Sequence, residues 1–446
     1  MKTAQTLKIT CLLCVMALQA VTSGGQTVTN IVAGGNHSLF LKSDGSLWAM
    51  GDNADGELGD GTYNPTNLPE QIVASNVKAI AAGNNFSLFI KSNGSLWAMG
   101  ANVEGQLGDG TYNPTNLPEQ VVASNVTAIA AGGGQSLFLK SDGSLWAMGN
   151  NSDGQLGDGS NDQFQYKTNL PELIVASNVT AIAAGGYHSL FLKSDGSLWA
   201  MGKNASGQLG GGAFNSTNRP VQIVASNVMA IAAGWTYSLF IKSNSSLWAM
   251  GHNGYGELGD GTYNNTNRPE QIVASNVTAI AAGSFHSLFL KSDGSLWAMG
   301  ANWNAQLGDG TYNNTNRPEQ IVAGNVTAIA GGSDHSLFLQ SDGSLWAMGY
   351  NEYGQLGDGT DNTADLPEQI LAANNQISAF SGQLLPTGDM RLSFVGAADA
   401  HYALDRCFNL ATLNWVPQLT NTTGVLVFTN TPNPATNNFW RIRSVP

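Results

Sequence analysis

The chain is poor in charged residues and in cysteine, and these two features limit the partners and the covalent cross-links that we expect for it. Charged residues make up 11% of its 446 residues, well below the roughly one quarter of a typical soluble domain, and the formal net charge is −13. An acidic chain repels phosphate backbones, so we expect no nucleic-acid partner. Of three cysteines, Cys11 and Cys14 lie near the N-terminus, which leaves Cys407 without a partner for an internal disulfide.

Long apolar runs are missing beyond the first residues. Lys2 and Lys8 precede an apolar stretch at 9–21 that has the length of a secretory signal core but is short for a bilayer span. Small residues follow, so we predict a signal peptide at residues 1–23, with an uncleaved anchor as the alternative. The sequence therefore predicts a secreted protein, extracellular or at the cell surface, with no membrane span in the mature chain.

What the chain has in abundance is an internal repeat. The phrase SLWAMG occurs seven times, and its Trp recurs at intervals of 49 residues, once of 53. Repeats of this length that contain only short strands and turns are typical of β-propeller blades. The tryptophans are Trp48, Trp97, Trp146, Trp199, Trp248, Trp297 and Trp346. A Trp repeated in every unit indicates packing between blades rather than a ligand platform.

Each unit divides into four strands: VTAIAAG, SLFLKS, SLWAM and the Pro-led PEQIV, with a Ser-Asp-Gly-Ser hairpin between the second and third. Four such strands make one antiparallel blade. The last unit ends at residues 367–371, and the segment TVTNIVAGG near the N-terminus resembles a first strand without a preceding unit. We therefore expect this segment to complete the seventh blade and to fasten the ends of the ring together.

The unit HSLFLKSDGSLWAMG, followed by NxxGQLGDGT and PEQIV, resembles the regulator of chromosome condensation repeat. The resemblance covers residues 27–371 and implies a seven-bladed propeller, in agreement with the repeat count. Some units depart from the pattern: Phe86, Gln135 and Tyr237 stand where others have His, and Gly211 replaces the Asp of GDG. We place the propeller at residues 26–375.

After about residue 375 the repeat stops. Residues 376–446 contain short alternating segments separated by Gly, Pro, Asn and Thr, which predict a small C-terminal β-sandwich. This segment also looks like a C-terminal module of secreted bacterial proteins, which implies an accessory role; a passive stabilising domain is the alternative. The predicted fold class is thus all-β, a seven-bladed β-propeller followed by a small β-sandwich.

Because the units are nearly identical, the places where they differ stand out. One variable window follows the Ala-Gly turn, between the first and second strands, and the other follows SLWAMG, between the third and fourth. In an antiparallel meander these two connections leave the same face of the ring. The uniform SDGS hairpins and ASNV links leave the opposite face. We call the two sides the variable face and the constant face.

The variable face is rich in aromatic and amide residues, which binding surfaces use. Drift in unconstrained loops is the alternative, weakened by the uniformity of a constant face that is equally exposed. Aromatics beside Asn and Asp also suit stacking on sugar rings. The predicted ligand-binding residues are His37, Phe86, Tyr187, Trp235, Tyr237, Tyr255, Phe285, Trp303, Tyr350 and Tyr353.

The repeats offer little for catalysis or cofactors. No unit holds a distinctive Ser/His/Asp set or carboxylate pair, so we predict no catalytic residues, no cofactor and no metal, and the protein is not expected to be an enzyme. The repeated GDGT aspartates fit turns better than calcium. His37, His188, His286 and His335 occupy one repeated position, which indicates a structural role.

The leading hypothesis is a secreted, monomeric binding protein that recognises an extracellular protein or polysaccharide through the variable face. A secreted bacterial member of the resembled family caps and inhibits β-lactamases, so inhibition of an extracellular enzyme is one alternative. A propeller hydrolase or lyase is another, although the repeats do not supply its clustered carboxylates. Guanine nucleotide exchange, the activity of the family's founding member, conflicts with the predicted export and the acidic charge.

Overall fold

The computed structural model describes residues 26–160 and 167–372, together with the backbone of six strands between residues 379 and 445. The predicted signal peptide at 1–23 and the additional residues around 162–166 lie outside the described residues. Every element in the described part is a β-strand, and 28 of them form seven consecutive four-stranded antiparallel sheets. The seven-bladed propeller predicted from the repeat is therefore confirmed.

The blades follow one another along the chain, and each uses four successive strands. Blade 1 consists of β1 (Val28–Ala33), β2 (His37–Lys42), β3 (Leu47–Gly51) and β4 (Thr66–Val73). Blade 2 consists of β5 (Val77–Ala82), β6 (Phe86–Lys91), β7 (Leu96–Gly100) and β8 (Thr115–Val122). Blade 3 consists of β9 (Val126–Ala131), β10 (Gln135–Lys140), β11 (Leu145–Asn150) and β12 (Lys167–Val175). Blade 4 consists of β13 (Val179–Ala184), β14 (His188–Lys193), β15 (Leu198–Gly202) and β16 (Thr217–Val224).

The remaining blades repeat the same order. Blade 5 consists of β17 (Val228–Ala233), β18 (Tyr237–Lys242), β19 (Leu247–Gly251) and β20 (Thr266–Val273). Blade 6 consists of β21 (Val277–Ala282), β22 (His286–Lys291), β23 (Leu296–Gly300) and β24 (Thr315–Val322). Blade 7 consists of β25 (Val326–Gly331), β26 (His335–Gln340), β27 (Leu345–Gly349) and β28 (Ala364–Leu371).

The middle strands of each blade are apolar on both sides because neighbouring blades cover both. In blade 1, Leu47, Ala49 and Met50 are fully buried. Trp48 is half-buried and stacks on Phe40 of β2, with ring centroids 6.0 Å apart, while the Lys42 ammonium lies 3.8 Å from the centre of its ring. Trp48 also packs against the apolar cluster that joins blades 1 and 7, so the repeated Trp belongs to the packing between blades, as the sequence predicts.

The expected completion of blade 7 by the N-terminal segment is wrong. Strand β1 is the first strand of blade 1, and blade 7 draws all four of its strands from residues 326–371. The physical reason is that TVTNIVAGG belongs to the unit that follows it in sequence, so no strand is missing from the last unit. Blades 1 and 7 instead pack through one apolar cluster, in which Ile31 and Phe40 meet Leu337 and Leu345.

A circle of backbone hydrogen bonds closes the ring around its axis. At each blade junction an N–H that follows the first strand donates to a carbonyl of the next blade, and Ser333 closes the circle by donating to Gly34 O at 3.1 Å. The other six bonds are Gly35 N to Gly83 O, Asn84 N to Gly132 O, Gly133 N to Gly185 O, Gly186 N to Gly234 O, Trp235 N to Ser284 O and Ser284 N to Gly332 O. All seven junctions are therefore closed in the same manner.

The C-terminal region forms two three-stranded antiparallel sheets. The first has the order β29 (Ala379–Leu384), β30 (Met390–Val395) and β33 (Val425–Asn430). The second has the order β32 (Trp415–Asn421), β31 (His401–Cys407) and β34 (Phe439–Val445). These are the short strands from which the sequence predicts a small β-sandwich. In the described part of the chain, no helix has the length and apolarity needed to cross a bilayer.

Candidate functional site

The two variable windows of the repeat meet on one face of the ring, as predicted. The Asn85 amide, in the window after β5, donates to Asp55, in the window after β3, at 2.8 Å. The Lys203 ammonium, after β15, lies 4.6 Å from the ring centre of Tyr187, after β13. Both kinds of loop therefore contribute side chains to one continuous surface.

A repeated internal bond pattern fixes the second window. In blade 1, Asn53 is buried, accepts from Leu58 N at 3.0 Å and donates to Asp60 at 3.0 Å. The same asparagine recurs in every blade; Asn102, Asn151, Asn204, Asn253, Asn302 and Asn351 each accept from the leucine five residues on. The loop backbone is thus held in place, while the side chains around the asparagine are free to differ.

Three predicted ligand-binding residues are not on the surface. His37, Phe86 and Tyr237 are fully buried, so their assignment to a binding site is corrected. Each is the first residue of its second strand, where the side chain points into the junction with the next blade. The physical cause is the two-residue period of a strand, which turns this position inward although its neighbours in the loop face solvent.

The buried position accepts several side chains because it is bonded in several ways. His37 Nε2 lies 2.9 Å from Ser87 Oγ, and that hydroxyl donates to Glu57 O at 2.7 Å, so the imidazole must supply the Nε2 proton. Gln135 donates to Gly185 O at 2.9 Å, and the Tyr237 hydroxyl donates to His286 O. Burial lowers the pKa of the four histidines here, to about 4 for His37 and His286 and about 3 for His188 and His335.

The remaining candidates gather on blades 4 to 7, and three of them form one aromatic cluster. The Tyr255 ring stands edge-on to Trp303, with centroids 4.6 Å apart, and edge-on to Phe285 at 5.3 Å. Phe285 and Trp303 are 6.1 Å apart. These rings come from three loops of two blades, and 39% of the Trp303 surface is exposed. We call Tyr255, Phe285 and Trp303 the aromatic cluster.

Two smaller groups flank the aromatic cluster. On blade 4 and blade 5, Tyr187 packs edge-on against Trp235, with ring centroids 5.3 Å apart. On blade 7, Tyr350 and Tyr353 lie 6.2 Å apart, and the Tyr350 hydroxyl donates to Glu352, which raises the pKa of Tyr350 to about 12. Seven of the ten predicted residues therefore lie on the variable face, all within four consecutive blades.

Lysine, histidine and aspartate side chains beside these rings were not among the predicted site residues. Lys203 contacts Tyr187, and His252 lies 5.6 Å from Tyr255 while its Nδ1 pairs with the buried carboxylate of Glu257. Asp334 is half-buried, and burial raises the pKa of its carboxyl. Hydrogen bonds from Trp303 and Asn304 lower that pKa but do not cancel the effect of burial. A signal was present, because Lys203 and His252 are the only basic residues that follow an SLWAMG phrase directly.

The variable face of blades 1 to 3 has a different character. Its described variable windows carry Asp52, Asp55, Glu104 and Asp153 and no aromatic ring apart from the buried Phe86, while the exposed rings of Tyr63 and Tyr112 lie farther along the same loops, after the GDGT segment. Beneath them, burial raises the pKa of Glu57 to about 7. The face is thus divided into an acidic half and an aromatic half.

The axis of the ring offers little room for a ligand. The cavity there measures about 90 Å³ and is lined mainly by the alanines and glycines that end the first strands, together with Trp235. Pockets that enclose small molecules are usually several times larger, roughly 300 Å³ or more. Among the described residues, no group of three His, Cys, Asp or Glu side chains is arranged to hold a metal ion.

The repeats also match known families. A model of the RCC1-like domain matches residues 14–321, and two matches to the regulator of chromosome condensation (RCC1) repeat cover 326–355 and 342–383. The chain belongs to the RCC1-like family. A search of curated proteins gave no significant match.

Several proteins of known structure share the fold. Human WBSCR16 is 23% identical with a TM-score of 0.67, and the match covers 75% of this chain and 96% of that one. Yeast RCC1 (Prp20), solved bound to Kap60, is 20% identical with a TM-score of 0.65, and the match covers 80% of this chain and 87% of that one. Prp20p from Saccharomyces cerevisiae, whose structure was described with its binding to Gsp1p and histones, is 21% identical with a TM-score of 0.64. The match covers 80% of this chain and 90% of that one. The family and the fold support a general role in protein interaction.

Proposed function

We propose that this RCC1-like protein is secreted and binds an extracellular protein through the aromatic half of its variable face. The observation that carries the proposal is the aromatic cluster, in which three separate loops of two neighbouring blades bring three rings into contact on an exposed surface. Binding energy at protein interfaces concentrates in such groups of Trp and Tyr, with Arg as the third common anchor. Yeast RCC1 (Prp20) was solved bound to Kap60, and Prp20p is described with its binding to Gsp1p and histones, which supports a protein as the partner.

The acidic half of the face complements this role. Asp52, Asp55, Glu104 and Asp153 would steer a partner with a basic surface and set its orientation, while the rings supply most of the affinity. An extracellular enzyme capped in this way would be inhibited, which is the more specific form of the proposal. The predicted signal peptide supports secretion, and it separates the protein from the intracellular partners of nucleotide exchange.

The test is affinity capture from the secreted proteins of the source organism, with the Trp235→Ala/Trp303→Ala double variant as the comparison. We expect a partner that wild-type protein retains and the variant loses, by roughly a hundredfold or more in Kd for two anchor residues. The matched control is Tyr63→Ala/Tyr112→Ala, which removes two exposed rings from the GDGT loops away from the cluster. Thermal unfolding should remain near the wild-type temperature for both variants.

Two results would contradict the proposal. If the double variant retains every partner, or if the control loses them equally, the aromatic half is not the binding surface. A glycan array run with the same three proteins covers the other ligand class. Binding of a neutral glycan that depends on Trp235 and Trp303, without any protein partner, would replace the proposal with sugar recognition on the same face.

A further inference from the structure

The outer edge of the ring carries a charge pattern that neither the aromatic cluster nor the packing explains. The fourth strand of each blade is the outermost, and its third or fourth residue is exposed. This position holds Leu in blades 1, 2, 3 and 7 and Arg in blades 4, 5 and 6: Leu68, Leu117, Leu170, Arg219, Arg268, Arg317 and Leu366. These three arginines are the only ones between residues 26 and 372.

The arginines lack partners among the described carboxylates. Neither Arg268 nor Arg317 lies within 4.0 Å of an acidic oxygen, although Glu270 and Glu319 stand two residues further along the same strands. In blade 4 that glutamate is replaced by Val221. Within residues 26–160 and 167–372, no carboxylate thus pairs with any of the three guanidinium groups, in a chain whose net charge is −13.

Each guanidinium is held against the blade before it. A Cβ placed on Gly212 would lie 2.8 Å from Arg268 Nη2, and one placed on Gly261 would lie 2.8 Å from Arg317 Nη2. In the leucine blades the same turn is covered by a methyl group; Leu117 Cδ2 would lie 3.4 Å from a Cβ on Gly61. The arginine therefore rests on a bare glycine backbone, which limits its freedom before a ligand arrives.

An exposed ring accompanies two of these arginines. Phe214 lies two residues after Gly212, and Tyr263 lies two residues after Gly261; their surfaces are 52% and 51% exposed. The flat apolar side of a sugar ring packs on an aromatic face, and a guanidinium forms paired hydrogen bonds with a carboxylate or sulfate. A ring and a cation repeated from blade to blade match a chain whose units each carry one sugar ring and one anionic group.

We propose that the outer edge of blades 4 to 6, defined by Arg219, Arg268, Arg317, Phe214 and Tyr263, binds an acidic polysaccharide. The polymer would run along the circumference and meet one arginine per blade. The outer strands of blades 1, 2, 3 and 7 carry leucine in place of the arginine, so they lack the cation and would confine the polymer to this arc. This site is separate from the variable face and does not depend on the function proposed there.

The test measures binding of fluorescent oligogalacturonate to the full-length protein at several salt concentrations. We expect binding that weakens with salt, and a loss of at least about tenfold in the Arg219→Leu/Arg268→Leu/Arg317→Leu variant. Leucine occupies this position in the other blades, so the variant should keep the wild-type unfolding temperature. Absence of binding by wild-type protein, or equal binding by the leucine variant, would overturn the proposal.

Two comparisons separate a specific site from general charge effects. The Lys42→Gln/Lys91→Gln/Lys140→Gln variant removes the same charge at positions where blade 7 has Gln340, and it should bind like wild type. The Phe214→Ala/Tyr263→Ala variant should lose affinity for oligogalacturonate but not for polyglutamate. If the lysine variant loses binding equally, or if the aromatic variant binds both polymers as wild type does, the edge is not a polysaccharide site. The Trp235→Ala/Trp303→Ala variant should bind normally, which separates this site from the variable face.

Discussion

The two faces of the propeller are built from the same repeat but are constrained in different ways. On the constant face, Val77 N donates to Gly45 O at 2.9 Å and Ser92 N donates to Asn76 O at 2.8 Å, so each link joins the hairpins of two blades. Asn76 has a φ of 67°, a conformation that favours Asn or Gly. On the variable face, the buried asparagine fixes the loop backbone and leaves the neighbouring side chains free.

This difference changes how uniformity in a repeat is interpreted. The hairpins and links are as exposed as the variable loops, but their sequence is held by backbone geometry and by bonds between blades. Uniformity there is therefore not evidence that variation elsewhere is functional. The stronger evidence is that Tyr255, Phe285 and Trp303 come from three separate loops and still meet in space.

The largest expected effect is a loss of stability at acidic pH, which arises from the buried histidines beneath the variable face. Between pH 6.5 and about 4 the unfolded chain protonates His37, His188, His286 and His335 while the folded ring keeps them neutral, so stability falls as the pH falls. Each histidine contributes up to about 1.4 kcal/mol per pH unit. Glu57 and Asp334, whose pKa values are raised by burial, act in the opposite sense. We expect a net loss on the order of 5 kcal/mol between pH 6.5 and 4.5, measured by denaturant unfolding.

The repeat supplies its own control for this pH dependence. His188→Gln introduces the residue that blade 3 already uses at this position, Gln135. It should reduce the slope of unfolding free energy against pH by the contribution of one histidine. Glu57→Gln, also native to other blades, should make the slope steeper. A stability that stays level or rises on acidification to pH 4.5 would contradict the assignment of neutral buried histidines.

A smaller effect compares the two faces directly. The hairpin position with positive φ holds Gly in six blades and Ser245, at φ 60°, in blade 5. Ser245→Gly should stabilise the protein by about 1 kcal/mol, and Gly143→Ser should destabilise it by at least as much. On the variable face, Val103→Ser should change stability by no more than about 0.5 kcal/mol, because the side chain is 59% exposed. If chemical denaturation shows that Val103→Ser lowers the free energy of unfolding more than Gly143→Ser does, the two faces are not constrained as described.

The smallest effect lies beside the constant face, where six blades place a lysine next to the repeated Trp. Lys291 Nζ is 3.7 Å from the ring centre of Trp297, whereas blade 7 has Gln340 beside Trp346. Lys291→Gln should lower the free energy of unfolding by about 0.5–1 kcal/mol, and Gln340→Lys should raise it by a similar amount. Urea unfolding of both variants measures the difference; a gain from Lys291→Gln would show that the lysine does not stabilise its Trp.

The sequence alone determined the blade count, the strand order and the existence of two unequal faces. The repeat period and the two-residue alternation of strands are local properties of the sequence, and both occur in each of the seven units. The position of Trp48 in the packing between blades followed from the same regularity. The expected sharing of blade 7 failed because the repeat phase was assigned from the end of the last unit, whereas hydrogen bonding places TVTNIVAGG in the first.

Only the tertiary structure decided which variable residues reach solvent and which of them meet. Tyr237 and Tyr255 look alike in sequence, but one begins a strand and is buried between blades while the other stands in a loop against Trp303. The contact of Lys203 with Tyr187 and the arc of arginines on the outer strands likewise depend on how blades are placed around the ring. Distances across a closed ring arise from all seven units together, so no single unit contains them.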